Sequence, residues 1–112
     1  LTNPNNPKVV LGIKKQALYF SREAIPHLRG YDKKDWLKQK DYFQHIGIYA
    51  FKHAILKEVS QLKNSSLEQS EGLEQLRWLE NGYNIHTAEI TSDCIAVDSP
   101  EDLKRIDKKF FT

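Results

Sequence analysis

Apolar and polar positions change period several times along this chain, and each change marks an element. Two short apolar runs, Lys8–Ile13 and Ala17–Phe20, flank a turn at Gly12–Lys15 and predict a β-hairpin. Gln44–Phe51 carries no charge and alternates. In a strand, residues two apart share a face. His45, Gly47, Tyr49 and Phe51 then point one way, and Ile46, Ile48 and Ala50 form a plain core face. Phe51, Ala54, Ile55, Val59 and Leu62 recur at helical spacing and predict an amphipathic helix over 51–62. A second helix is expected from about Leu67 to Glu80. A capping box (Ser65 with Glu68, or Ser66 with Gln69) starts it, and Asn81-Gly82 stops it. Ile85–Ile90 alternates as a strand, and Ile95–Val97 is a short buried one. Ser99, Pro100 and the acids that follow open a third helix carrying Leu103, Ile106 and Phe110. Strands interleaved with three helices argue an α/β layer architecture.

Polar residues in apolar settings are the candidates for chemistry. On the 44–51 strand a mid-strand glycine marks close approach of a ligand or another backbone. His45 and Tyr49 either face something polar there or are satisfied by neighbours. In the second helix Leu73, Leu76, Trp78 and Leu79 form an apolar sector, with Gln75 inside it and Glu74 beside Trp78. A buried polar side chain needs partners. Glu74 and Gln75 either meet a ligand, or Glu74 reaches solvent and Gln75 bonds a neighbouring backbone. Pro26 disfavours helix before it and leaves Arg22 on a loop at a strand end. Asp98 stands at the carboxyl end of a strand, where open α/β sheets bind ligands. Its carboxylate suits magnesium, or simply extends the cap of the following helix.

Composition narrows the classes. With 112 residues the chain is one domain at most, and 17 basic against 15 acidic residues leave a net charge of +2. That is no electrostatic footprint for nucleic acid. Tyr31 and Trp36 lie among cations in His27–Lys40, but Asp32 and Asp35 break the run, so a solvated loop or short helix with inward aromatics is expected. A single cysteine, Cys94, excludes an internal disulfide and a cysteine-based zinc site. No apolar run approaches the roughly 20 residues that span a bilayer. The chain begins Leu1-Thr2-Asn3-Pro4 and contains no methionine, which reads as part of something longer.

Four segments, in order, carry a resemblance: Ala17–Pro26 (Ala-Leu-Tyr-Phe-Ser-Arg-Glu-Ala-Ile-Pro), His45–Phe51 (His-Ile-Gly-Ile-Tyr-Ala-Phe), Leu73–Arg77 (Leu-Glu-Gln-Leu-Arg) and Val97–Leu103 (Val-Asp-Ser-Pro-Glu-Asp-Leu). Together they resemble the carboxyl-terminal half of the 3-deoxy-manno-octulosonate (Kdo) cytidylyltransferases, over about Lys8 to Lys108. The resemblance implies an α/β nucleotidyltransferase fold of the nucleotide-diphospho-sugar transferase type with a mixed sheet. Residues 1–112 would be its sugar-binding and dimerisation part. It implies the reaction of CTP with Kdo to give CMP-Kdo and pyrophosphate, magnesium as cofactor, a homodimer, and a place in lipopolysaccharide synthesis in the bacterial cytoplasm. Arg22 matches the arginine that faces the sugar acid, and His45 and Tyr49 match the strand residues that contact Kdo. Glu74 and Gln75 match the pair that bonds sugar hydroxyls, and Asp98 matches the magnesium carboxylate. No nucleic-acid partner or membrane insertion is implied.

The chain departs from the family pattern at Ala96-Val97-Asp98-Ser99, where Gly-Val-Asp-Thr is commoner. It also lacks any Gly-rich phosphate loop. The 112 residues alone are therefore expected to be inactive. Two other readings stand beside this one: a cytidylyltransferase for another sugar acid, and a non-catalytic dimerisation module.

Overall fold

The computed structural model describes residues 1–90. The predicted hairpin forms as β1 (Lys8–Leu11) and β2 (Ala17–Ser21). Its turn closes through Lys15 N–H donating to Gly12 O at 2.9 Å, with Lys15 in the left-handed region at φ 63°. Antiparallel pairing runs Lys8 with Ser21, Val9 with Phe20 and Val10 with Tyr19, then shifts so that Leu11 faces Ala17. The shift leaves Leu18 out of register and exposed, as a β-bulge does. β3 (Phe43–Gln44) joins the other side of β1, giving the order β2-β1-β3. Phe20, Val9 and Phe43 are consecutive partners across the sheet. Among the described residues every strand pairing is antiparallel.

Beyond β2, a 3-10 turn at Lys33–Asp35 runs into α1 (Trp36–Gln39). Trp36 packs inward as expected, stacked on Tyr42 and edge-on to His27, and its indole N–H donates to Tyr31 O at 3.2 Å. Tyr31 itself is half exposed.

The 44–51 segment differs from its expected strand. The ladder ends at Gln44. Ile48 N–H then donates to Ile46 O at 2.8 Å, a tight turn around Gly47 that breaks the period of two. The expected core face is not core: Ile46 is half-buried, Ala50 is exposed and Ile48 is 79% exposed. Tyr49 and Phe51 pack instead on Trp78. The helix read over 51–62 is only α2 (His53–Val59), because Lys52 is extended at ψ 142° and Phe51 is drawn to Trp78. Val59 is its one buried residue.

The helix expected over 67–80 is two helices, α3 (Ser66–Glu71) and α4 (Gln75–Glu80). Gly72 at φ 66° ends α3 in the left-handed conformation that glycine adopts without a Cβ penalty. Ser65 and Glu68 take the capping-box arrangement, and its Glu68 half closes as a hydrogen bond, Ser65 N–H donating to Glu68 Oε1 at 3.2 Å, while the Ser65 hydroxyl has no partner among the described residues. Glu68 also takes a bidentate pair of bonds from Arg77, whose Nη2 reaches Asn64 Oδ1 at 2.7 Å. This ties the two helices to the loop before them. Asn81 and Gly82 (φ 85°) end α4, as read.

α4 packs on β2. The core is Val9, Ala17, Phe20, Leu73 and Leu76, flanked by Leu11, Tyr19, Phe43, Leu79 and Ile85. The 85–90 strand is reduced to one antiparallel bridge between Gln16 and His86, with Ala17 N–H donating to Ile85 O at 2.8 Å. Ile90, at the far end of this stretch, is exposed. The elements read over 95–110, and Asp98 with them, lie outside the described residues.

Candidate functional site

His45 follows β3 directly and is anchored by its N–H, which donates to Pro7 O at 2.8 Å. Its ring stands edge-on to Phe20, with centroids 5.1 Å apart, and is half-buried. Burial pushes the imidazole pKa down, which favours the neutral ring. The turn at Gly47 brings Tyr49 back, so that its hydroxyl bonds His45 Nε2. The sequence pairs these residues by strand alternation, whereas the structure pairs them by a turn.

An aromatic wall backs the pair. Trp78 meets Tyr49 edge-on at 4.9 Å and Phe51 at 5.2 Å. Burial, with a smaller contribution from the Glu74 carboxylate, pushes the Tyr49 phenol up to about 12. Tyr49 therefore stays protonated at neutral pH, able to give or take a hydrogen bond.

α4 supplies the polar pair. Trp78 carries the wall, and Gln75 lies one turn before it on the same helix. Gln75 is only 5% exposed, yet its Nε2 has no hydrogen-bond partner among the described residues. An unmet buried donor costs about 1–3 kcal/mol, and native structures contain few. Glu74 is exposed at the helix start, with its charge felt by Tyr49. Of the two readings of the pair, Glu74 is in solvent as expected, but Gln75 does not bond a neighbouring backbone through its amide nitrogen.

Arg22 follows the last residue of β2, and its guanidinium lies against the turn between α3 and α4. Nε donates to Glu71 O at 2.6 Å, Nη2 to Gly72 O at 2.9 Å and Nη1 to Pro4 O at 3.0 Å. The Glu71 and Gly72 anchors lie three and two residues before Glu74. Tyr49 meets Trp78, His45 joins it through the Tyr49 hydroxyl, Glu74 and Gln75 stand one turn before Trp78 on the chain, and Arg22 is held at the turn that precedes α4. Among the described residues no three His, Cys, Asp or Glu side chains gather as a metal site, and Asp98 lies outside them.

Sequence reasoning missed two contributors, the Trp78–Phe51 wall and Glu71, which holds Arg22. Gly72 was the available signal for Glu71, since a helix ending there makes Glu71 its last residue. Alternation groups Phe51 with His45 and Tyr49, but nothing in the sequence joins Phe51 to Trp78, which fits an apolar helix stripe.

The fold is that of part of a nucleotidyltransferase. A solved structure of a CMP:2-keto-3-deoxy-manno-octonic acid synthetase complexed with CTP matches with a TM-score of 0.80 and 39% identity, over 93% of this chain and 41% of that one. The chain belongs to the cytidylyltransferase family, whose profile matches residues 1–103. The 3-deoxy-manno-octulosonate cytidylyltransferase of Cytophaga hutchinsonii is 54% identical over 107 residues, covering 95% of this chain. That of Bacteroides thetaiotaomicron is 52% identical over 108 residues, covering 96%. The chain spans 43% of the length of each of these two relatives.

Proposed function

We propose that this chain is the sugar-acid-binding, carboxyl-terminal part of a cytidylyltransferase that joins CTP and Kdo into CMP-Kdo with release of pyrophosphate. The observation that carries the reading is the buried Gln75 amide, without a partner among the described residues and one helical turn before Trp78, which meets the Tyr49 of the bonded His45–Tyr49 pair. A polyhydroxylated acid has the acceptors that such a rim lacks. Gln75 and Glu74 would take sugar hydroxyls, and His45 and Tyr49 the opposite edge. Arg22 would bind the carboxylate, for which a guanidinium fork is suited. The relatives' names and the CTP complex of the matching structure support CTP and Kdo as the substrates.

In the reaction the anomeric hydroxyl oxygen attacks the α-phosphorus of CTP. The bond from that phosphorus to the β-phosphate oxygen breaks, and the hydroxyl proton is lost to solvent. Magnesium, proposed at Asp98, supplies charge neutralisation when bound. The chain's own part is positioning, which can account for much of a bimolecular rate. His45 is assigned to binding, because its Nε2 is occupied by Tyr49.

Dimerisation belongs to the same proposal, as does a cytoplasmic location. Exposed Ile13, Leu18 and Ile48 support the first. No helix among the described residues is long and apolar enough to cross a membrane.

An assay with CTP, Kdo and magnesium tests the proposal. No CMP-Kdo is expected from the 112 residues alone. Formation is expected from the longer polypeptide with the remaining length that the relatives have, and its loss on Gln75→Ala. Product from the short chain, or a fully active Gln75→Ala enzyme, would contradict the assignment.

A further inference from the structure

We infer that Glu71 is a positioning residue: it sets Arg22, and through the turn after α3 it sets the Glu74–Gln75 pair. The inference rests on the sugar-acid role proposed for Arg22. No motif gives Glu71 a part, and it is the last residue of a short helix. The structure makes it a hub. Its Oε1 accepts the Arg22 N–H at 3.2 Å, and its Oε2 accepts the Tyr19 hydroxyl at 3.1 Å. Arg22 answers with its side chain, Nε donating to the Glu71 carbonyl at 2.6 Å.

Arg22 therefore donates both bonds of the pair, its main-chain N–H to the Glu71 side chain and its side-chain Nε–H to the Glu71 main chain. Such a closed ring fixes both the separation and the rotation of the guanidinium, where a single bond leaves rotation free. Two further bonds complete the grip. Nη2 reaches Gly72 O at 2.9 Å, and the buried Lys8 Nζ donates to the Arg22 carbonyl at 3.3 Å. Arginine has five N–H groups in a rigid fork. Three are bonded within the described residues, and two remain for a ligand carboxylate. A guanidinium ordered before the ligand arrives loses little rotamer freedom on binding. Because the Glu71 and Gly72 carbonyls are the anchors, the same ring fixes where residues 73–75 begin.

Were Glu71 only a fastening between α3 and β2, its loss would lower stability and nothing else. The test uses Glu71→Gln in the longer polypeptide. Glu68→Gln, which breaks the Arg77 pair, is the matched structural control. Glu71→Gln is expected to raise KM for Kdo about tenfold, leaving KM for CTP within about twofold. Glu71→Asp should recover part of the loss, and Glu68→Gln should lower Tm without that split. An unchanged KM for Kdo, or both KM values rising together as Tm falls, would overturn the inference.

A second readout does not depend on the substrate. In the 112-residue chain the Arg22 Nε–H should exchange with solvent about tenfold faster in Glu71→Gln than in the parent. Glu68→Gln should leave it protected. Unchanged protection in Glu71→Gln overturns the positioning role. A polypeptide that ignores Kdo while showing this exchange pattern overturns the substrate reading alone.

Discussion

The β1–β2 hairpin and the 44–51 segment are similarly apolar, and they fold differently. Each hairpin strand has a ladder partner, and α4 covers β2. The 44–51 segment has a partner only at Gln44, then turns at Gly47 and lays Tyr49 and Phe51 on Trp78. Alternation states which face a strand would bury. Whether a strand forms depends on a ladder and a layer to bury it against. Where neither is at hand, an aromatic contact and a two-residue hydrogen bond decide the path.

The sharpest way to break the comparison is to empty the covered side. Leu76 is 0% exposed beneath the sheet, so Leu76→Ala should cost about 2–5 kcal/mol in urea unfolding. Next comes the break between the helices. Gly72 holds φ 66°, and an added Cβ would meet nothing nearer than Arg22 Nη2 at 3.6 Å. Space is not the obstacle there. Gly72→Ala should destabilise by about 1–2 kcal/mol through the left-handed backbone alone. If Gly72→Ala were neutral, the separation of α3 from α4 would be in doubt.

The aromatic site sharpens the comparison by pH. Burial and Glu74 raise the Tyr49 phenol to about 12, above the ordinary 10.0. A group that holds its proton more tightly when folded adds stability below its unfolded value. That contribution is lost as pH rises through the folded one. Stability from Tyr49 should therefore be complete below pH 10 and fade toward pH 12. Ultraviolet titration should show a late phenolate component that Tyr49→Phe removes. Acid acts from the other side. Burial raises the Glu71 carboxyl, but hydrogen bonds from Ser21, the Arg22 N–H and Tyr19 outweigh it and hold the group below its ordinary 4.5. Its contribution is complete above 4.5 and lost as pH falls through the lower folded value. The smallest effect belongs to the open side, where Ile48→Ser should change stability by no more than about 0.5 kcal/mol.

Much of the fold was legible where the signal was local. The hairpin, the Ser65–Glu68 box and the Asn81-Gly82 stop follow from residues near each other in sequence. The break at Gly72 was hidden because Leu73, Leu76, Trp78 and Leu79 continue an apolar stripe across it. The site was half legible. Gln75 stands out as a polar residue in an apolar sector, and alternation pairs His45 with Tyr49, although through a strand geometry that the turn at Gly47 replaces. For Glu71 the sequence offers only the helix stop at Gly72, because its partners Tyr19 and Arg22 are about fifty residues away.

The central claim is that Gln75, Tyr49 and Arg22 face one sugar acid. The most direct measurement is a nitrogen-15 NMR titration of the 112-residue chain with Kdo. The Gln75 side-chain amide and the Arg22 Nε–H should shift together and saturate at one concentration, with the exposed Gly82 amide unmoved. Shifts confined to other residues, or two signals that saturate separately, would contradict a single site.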